Sequence, residues 1–546
     1  MSRFSPGQGR VALVPLDDRP CNRLFPGQVA RICGFEVLTP PRDHLGRFLI
    51  PGNGYRIGEW LLEVASQVDA FVLSLDMLAY GGLIAERTPD VTVPEALRRL
   101  AVVRELRRRF PAKLIVAFTV VQRLSVTSSS PEIAAHVRDI HRYSQLADLV
   151  ERLDRSDHRA ERAALEERIP SALLMDYLHA RERNHAVSME MLHWAADGVF
   201  DFLGICQEDS APWGLHVGEQ QRLAKAIEEM RLDKRAQIYC GADEESTLLT
   251  MRCACVLTGF EPRISLWPLL REGLEVTADF EDRPVAQTIE GLIAALTGSV
   301  VTSPSSADFV LFANTPLPLA EGDATNLGWP APRRAAPDAA RMAALDAFVA
   351  EVSRHVAEGH PVAIADVAYT NRSDPALIER LCATCDVTRL DAYGGWNRAC
   401  DTVGVALAQA AACALVRQSA DETPEYAAIE RALCHQEFLL HRFVDDWAYQ
   451  GEVRTEAMIY SRDQGCVPED LRSRYPDVER YVQERLEPVA FRLHGAHFEG
   501  RPLRAGIGSK PLSARIGPLE ACRVSLPWPR TFEVEVKVEI RRSWSP

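Results

Sequence analysis

Residues 236–259 read AQIYCGADEESTLLTMRCACVLTG. The apolar run Ala-Gln-Ile-Tyr-Cys stops at Gly241, and three carboxylates follow at Asp243, Glu244 and Glu245. Thr247-Leu-Leu then opens an apolar pattern of helical period. A short strand, a charged turn and an amphipathic helix make the repeating unit of parallel α/β folds, where crossover helices join strands that run the same way. Acidic residues in a first helical turn are favoured by the helix dipole, so one such block needs no chemistry to explain it. Recurrence of the block is a different matter.

The block recurs. Strands are predicted at 11–16, 36–39, 70–75, 113–119, 202–206, 237–240 and 263–267, with helical segments between them and a long helical insertion at 131–197. The first strand ends in PLDDRP (15–20), the third in SLDMLAYGG (74–82), the fourth near Gln122-Arg123 and the fifth in QEDSAPWG (207–214). In parallel folds the loops at the carboxyl ends of the strands converge on one face. Asp17, Asp18, Asp76, Arg123, Glu208, Asp209, Asp243 and Glu244 are therefore expected around one pocket. So many buried carboxylates repel one another unless arginines or a metal compensate, and such clusters mark functional sites.

Seven strands before residue 270, with an eighth at 275–278, predict a parallel (β/α)8-like barrel over residues 1–284; a doubly wound open sheet is the alternative. A second α/β domain is expected over 285–419, with strands at 300–302, 309–313, 362–366 and 387–390. A Pro-rich loop at 315–337 is long enough to be a lid. Residues 420–546 read as a helical region closing in a β-ribbon, because FEVEVKVEI (532–540) alternates with the period of a half-exposed strand.

Composition narrows the partners. The 546 residues are 47% hydrophobic and 25% charged, values of a globular chain. A net charge of −14 disfavours a nucleic-acid backbone or an anionic membrane as partner. No run approaches about 18 uninterrupted apolar residues, and the N-terminal MSRFSPGQGR carries no apolar signal core. A cytoplasmic location is expected. The thirteen cysteines form no disulfide-like framework, and the lone pair Cys382/Cys385 has no second pair at zinc-ligand spacing.

No GxGxxG follows a strand, and no Walker loop, GxSxG elbow or HExxH is present. What remains is carboxylate chemistry beside aromatic rings. Paired acids with ring-stacking aromatics suit glycoside hydrolysis, in which one carboxyl protonates the leaving oxygen. GADE (241–244) is similar to the Gly-Gly-Asp-Glu strand end of substrate-assisted hexosaminidases. That resemblance implies Asp243 and Glu244 as orienting acid and general acid, and an N-acetylhexosamine among the candidate substrates. Glu208, Asp209 and Asp76 are supporting acids. Asp17, Asp18, Arg19, Tyr80, Arg123, Trp213, Trp396 and Asn397 are expected to bind the substrate, a small molecule or oligosaccharide, without a cofactor. Two other classes stay open. Asp17, Asp18, Asp76, Asp209 and Asp243 could hold a divalent cation in a metal-dependent hydrolase, or the same acids could bind a polar metabolite without catalysis.

Several segments together resemble a bacterial family catalogued as a domain of unknown function, number 4127. They are PLDDRPCN (15–22), SLDMLAYGGL (74–83), Arg181-x-Arg-Asn184, QEDSAPWG (207–214), GADE (241–244) and FEDRP (280–284). YGGWN (393–397), DDWAYQ (445–450) and LPWPRTFEVEV (526–536) extend the match over nearly the whole chain. The resemblance implies one architectural unit and supplies no activity. The chain departs from the family pattern at Glu208, where Asp is expected, and at Glu245, where an apolar residue is expected.

Overall fold

Along β1 (Gly9–Val14), Val11 and Leu13 face one core while Ala12 and Val14 face another. A strand apolar on both faces belongs inside a parallel sheet covered on each side by helices. The computed structural model describes residues 9–128, 130–318, 336–418, 423–504 and 511–544. With β2 (Phe35–Leu38), β3 (Ala70–Ser74), β4 (Leu114–Val121), β5 (Phe202–Gln207) and β6 (Ala236–Cys240), β1 builds a six-stranded sheet of order β2-β1-β3-β4-β5-β6. Every pairing in it is parallel.

A second sheet holds β7 (Arg263–Pro268), β8 (Ser299–Val300), β9 (Phe309–Asn314), β10 (Val362–Asp366) and β11 (Ala392–Gly394), in the order β8-β7-β9-β10-β11 and again wholly parallel. The expected single (β/α)8 barrel is not what these strands form. The strand at 263–267 starts the second sheet instead of continuing the first, and the eighth barrel strand expected at 275–278 is absent: a 3₁₀ turn, Arg271–Glu275, leads into a bridge between Thr277 and Pro284. Both sheets are open, and in each the second strand lies on the opposite side of the first from the third. The strand expected at 387–390 is a 3₁₀ turn, and the pairing falls to β11. The Pro-rich loop expected at 315–337 lies outside the described residues for positions 319–335.

Helices Phe25–Ile32, Glu245–Thr258, Val285–Ala295 and Ala399–Gln418 form the layer that both sheets share. Ala399–Gln418 is long and apolar enough to cross a membrane by length and composition, yet its residues from Ala399 to Val416 are buried in this layer. The insertion at 131–197 is helical, with Val137–Glu151, Arg159–Arg168 and Ser171–Ala196. Beyond the second sheet, Glu425–Arg442 continues through a π-helix, Phe443–Val453, into Arg454–Asp463. After helix Tyr475–His497 the chain ends in an antiparallel sheet of β12 (Pro502–Arg504), β13 (Pro511–Ser525) and β14 (Glu535–Trp544). The turn from β13 to β14 carries LPWPRTF (526–532) back to the carboxyl ends of the first sheet: the Trp528 indole Nε1–H donates to Asp18 Oδ1 at 2.6 Å.

Candidate functional site

The loops leaving β1, β3, β4, β5 and β6 meet those leaving β10 and β11 around a cavity of about 430 Å³. Open α/β sheets bind ligands in this place, outside the carboxyl ends of their strands. The first sheet contributes Arg19, Arg87, Arg123, Glu208, Asp209 and Asp243; the second contributes Asn371, Asn397 and Arg398. Arg454, Trp528, Arg530 and Phe532 close the cavity from the C-terminal region. Of the eight described non-glycine residues with positive φ, four line this cavity: Phe48 at 50°, Phe280 at 62°, Asn371 at 62° and Asn397 at 61°. Backbone in that region is strained for a phenylalanine, and such residues gather where function demands them.

Arg19 is the hub of the acidic groups. Its Nε and Nη2 donate to Asp17 at 2.9 and 2.7 Å, and its two Nη atoms donate to Asp243 at 2.9 and 2.5 Å. Asn22 holds Asp17 from the other side at 3.0 Å, and Asn397 donates to Asp243 at 3.2 Å across the gap between the sheets. Burial opposes charge on Asp243, but the two contacts from Arg19 outweigh it and keep its carboxyl below the ordinary range. A guanidinium thus stands between Asp17 and Asp243, where the metal reading would place a cation.

Glu208 is placed differently. It is buried and pairs with the Arg87 guanidinium through Oε1, while its Oε2 has no hydrogen-bond partner among the described residues. Burial pushes its carboxyl up, against the attraction of Arg87 and Arg123. Asp209 is the most exposed acid of the three, with 38% of its side chain accessible; Arg398 lies 3.5 Å away and Arg123 3.7 Å.

Four expected site residues stand behind the cavity wall instead of on it. Glu244 is fully buried; its Oε2 accepts from the Ala242 amide at 3.1 Å, and it shares a hydrogen bond with Asp401. Burial first, then the charges of Asp401 and Glu245, push its carboxyl well up. Asp76 accepts from the Val120 amide at 3.0 Å and from Thr119 at 3.3 Å, tying β3 to β4, and burial pushes it up to about 7. Asp17 and Asp18 are spent on Arg19, and on Trp528 and Arg42, respectively.

The expected aromatic platform is likewise elsewhere. Tyr80 is buried under the Arg183 guanidinium, Trp396 lies in the shared helical core, and Trp213 packs on the helical insertion. Trp528, Phe532, Phe280 and Phe48 supply the rings that line the cavity.

The segments that converge here span the chain from PLDDRP to LPWPRTF, and a family model described as a protein of unknown function, DUF4127, matches residues 11–537. The chain belongs to that family. No curated protein matches it. Within this DUF4127 chain, the residues that sequence reasoning passed over are Arg87, Arg398, Arg454, Trp528 and Arg530. Trp528 and Arg530 had a signal: they sit in LPWPRTF, one of the segments carrying the family resemblance. Arg87 and Arg454 had none, because each occupies an ordinary helical or turn pattern.

Proposed function

We propose that this DUF4127 chain is a carboxylate-based hydrolase of the glycosidase kind, acting on a sugar in the cavity between the two sheets. The observation that carries the reading is a pair of carboxyls on one cavity wall whose surroundings drive their proton affinities apart: Glu208 upward by burial, Asp243 downward by Arg19. Environments of that kind assign acid and base roles within one site. Glu208 holds the proton for the leaving oxygen. Asp243 remains ionised and stabilises positive charge developing at the reacting carbon. Asp209, the most accessible of the three, takes the proton of the attacking water. A cavity of about 430 Å³ suits a sugar-sized ligand. Glu244 and Asp76, buried off the wall, have no direct part in this scheme.

Glu208→Gln keeps the shape of the side chain and removes only the proton. Turnover of a panel of aryl glycosides is expected to fall by about 10²–10⁴, and activated leaving groups, which need little protonation, should recover most of it. Full activity in Glu208→Gln, or no cleavage of any glycoside by the native chain, overturns the scheme. The metal-dependent alternative has its own observation, because ligand atoms of Glu244, Cys400 and Asp401 lie within 4.8 Å of one another. A chelator arm of the same assay separates the two: activity that is lost and then restored by Mn²⁺ or Mg²⁺ favours the metal.

A further inference from the structure

Among the described residues, six arginines and four carboxylates line the cavity, although the chain as a whole carries a net charge of −14. Three of the arginines are committed to acids: Arg19 to Asp17 and Asp243, Arg87 to Glu208, and Arg398 to Asp401 at 3.1 Å. The other three keep guanidinium N–H groups that no carboxylate hydrogen-bonds among the described residues. Among the described residues Arg454 has no carboxylate within ion-pair distance; one Nη donates to Gln450 at 3.0 Å, and its Nε is buried with no partner there. Arg530 bonds Glu533 through Nε, its Nη atoms have no acceptor among the described residues, and its guanidinium stacks 4.5 Å from the Trp528 ring. Arg123 gives its hydrogen bonds to the carbonyls of Ser125 and Val126 and reaches Asp209 only at 3.7 Å.

Three guanidinium groups that line one cavity and are only partly matched by carboxylates repel one another. Arg123 is pushed down to about 10, by burial first and then by the charges of Arg87 and Arg530, against the attraction of Glu208 and Asp209. Arg454 is also lowered, by burial first and with Arg530 contributing, against the pull of Tyr449, Glu533 and Glu469. Partly buried positive charge of this kind is costly unless a counter-charge arrives. The planar fork of arginine matches carboxylate and phosphate oxygens two at a time.

We infer that Arg123, Arg454 and Arg530 form a subsite for an anionic group on the substrate, a carboxylate or a phosphate carried by the sugar. The inference rests on the hydrolase reading only in calling the ligand a substrate; the subsite itself is a binding claim. Arg454 enters the cavity because the π-helix Phe443–Val453 ends immediately before it, and its guanidinium lies 4.5 Å from the Phe532 ring. π-Helical segments recur at functional sites, where the wider turn re-aims a side chain.

Direct binding to the full-length chain tests this, with glucuronate and glucose 6-phosphate as anionic probes and glucose as the neutral one. At least one anionic probe should bind about tenfold more tightly than glucose or better, and its affinity should fall as salt rises, as screening requires. Tighter binding of glucuronate assigns the group as carboxylate, and tighter binding of the sugar phosphate assigns it as phosphate. Arg454→Gln and Arg123→Gln, each checked for a native melting curve, should each weaken the anionic probe about tenfold and leave glucose unchanged. If neither anionic probe binds more tightly than glucose, the subsite is wrong. It is equally wrong if both folded variants retain native affinity for the anionic probes. An anion that binds while none of its glycosides is cleaved leaves the subsite standing and removes the hydrolase reading. Cleavage of glycosides by a chain that binds neither anionic probe more tightly than glucose does the reverse.

Discussion

Asp243 and Glu244 show how neighbouring acids acquire different work. Asp243 and Glu244 are consecutive, yet one side chain reaches a guanidinium on the cavity wall and the other enters the helical layer between the sheets. Glu244 carries its proton in the fold, so an amide should replace it with little loss. Glu244→Gln is expected to change turnover by no more than a factor of a few. It should cost on the order of 1 kcal/mol in stability, because the added N–H needs an acceptor in a dry site. Assays and melting curves of Glu244→Gln beside Glu208→Gln separate the two, and a collapse of activity in Glu244→Gln alone would return the general acid to that position. The chemistry at the strand ends was legible in sequence because charge directly after a buried strand is conspicuous. Which acid points outward was not. That depends on contacts such as Asp401 and Asn397, more than 150 positions along the chain.

At the scale of elements, the parallel strands and crossover helices were legible from apolar runs of four to eight residues, but their closure was not. A barrel and a pair of open sheets share the same local pattern and differ only in whether the first and last strands pair, a long-range choice. Here β6 ends the first sheet and helix Glu245–Thr258 carries the chain into the shared layer, where it packs against Ala399–Gln418. Gly404 lets that second helix approach, since a Cβ there would collide with the Cγ of Glu244. Two effects compete in Gly404→Ala. Helix propensity favours alanine by about 1 kcal/mol, while overpacking a rigid site costs about 1–3 kcal/mol. Overpacking should win, because Glu244 is hydrogen-bonded to the Ala242 amide and to Asp401 and has little room to yield. Urea unfolding is expected to register a net loss, and a gain in stability would mean that the Glu244 side chain moves freely.

Taken as a whole, the molecule stores protons. Burial pushes Asp76, Glu245 and Asp366 up to about 7 and Asp446 to about 8, and lifts Glu86 and Glu244 well above the ordinary carboxyl range. Each keeps its proton in the fold at a pH where the unfolded chain, with carboxyls near ~4, has lost it. The folded state therefore binds more protons, and stability falls as pH rises through this range. Buried histidines act the other way: burial lowers His141, His185, His216 and His435 to about 4, so the unfolded chain takes up protons on them below about 6.5. The two groups offset each other in mildly acidic solution. Above about pH 6.5 the unfolded histidines lose their charge and the carboxyls act without that opposition. The thermal midpoint should accordingly stay nearly level between about pH 5 and 6 and decline from about 6.5 to 8. Asp76→Asn should be tolerated, since the Thr119 hydroxyl can turn to accept from the new amide, and the decline should be shallower in that variant. A midpoint that rises from pH 6.5 to 8 would mean that these carboxyls are ionised in the fold, and that arginines or a bound cation pay for their charge.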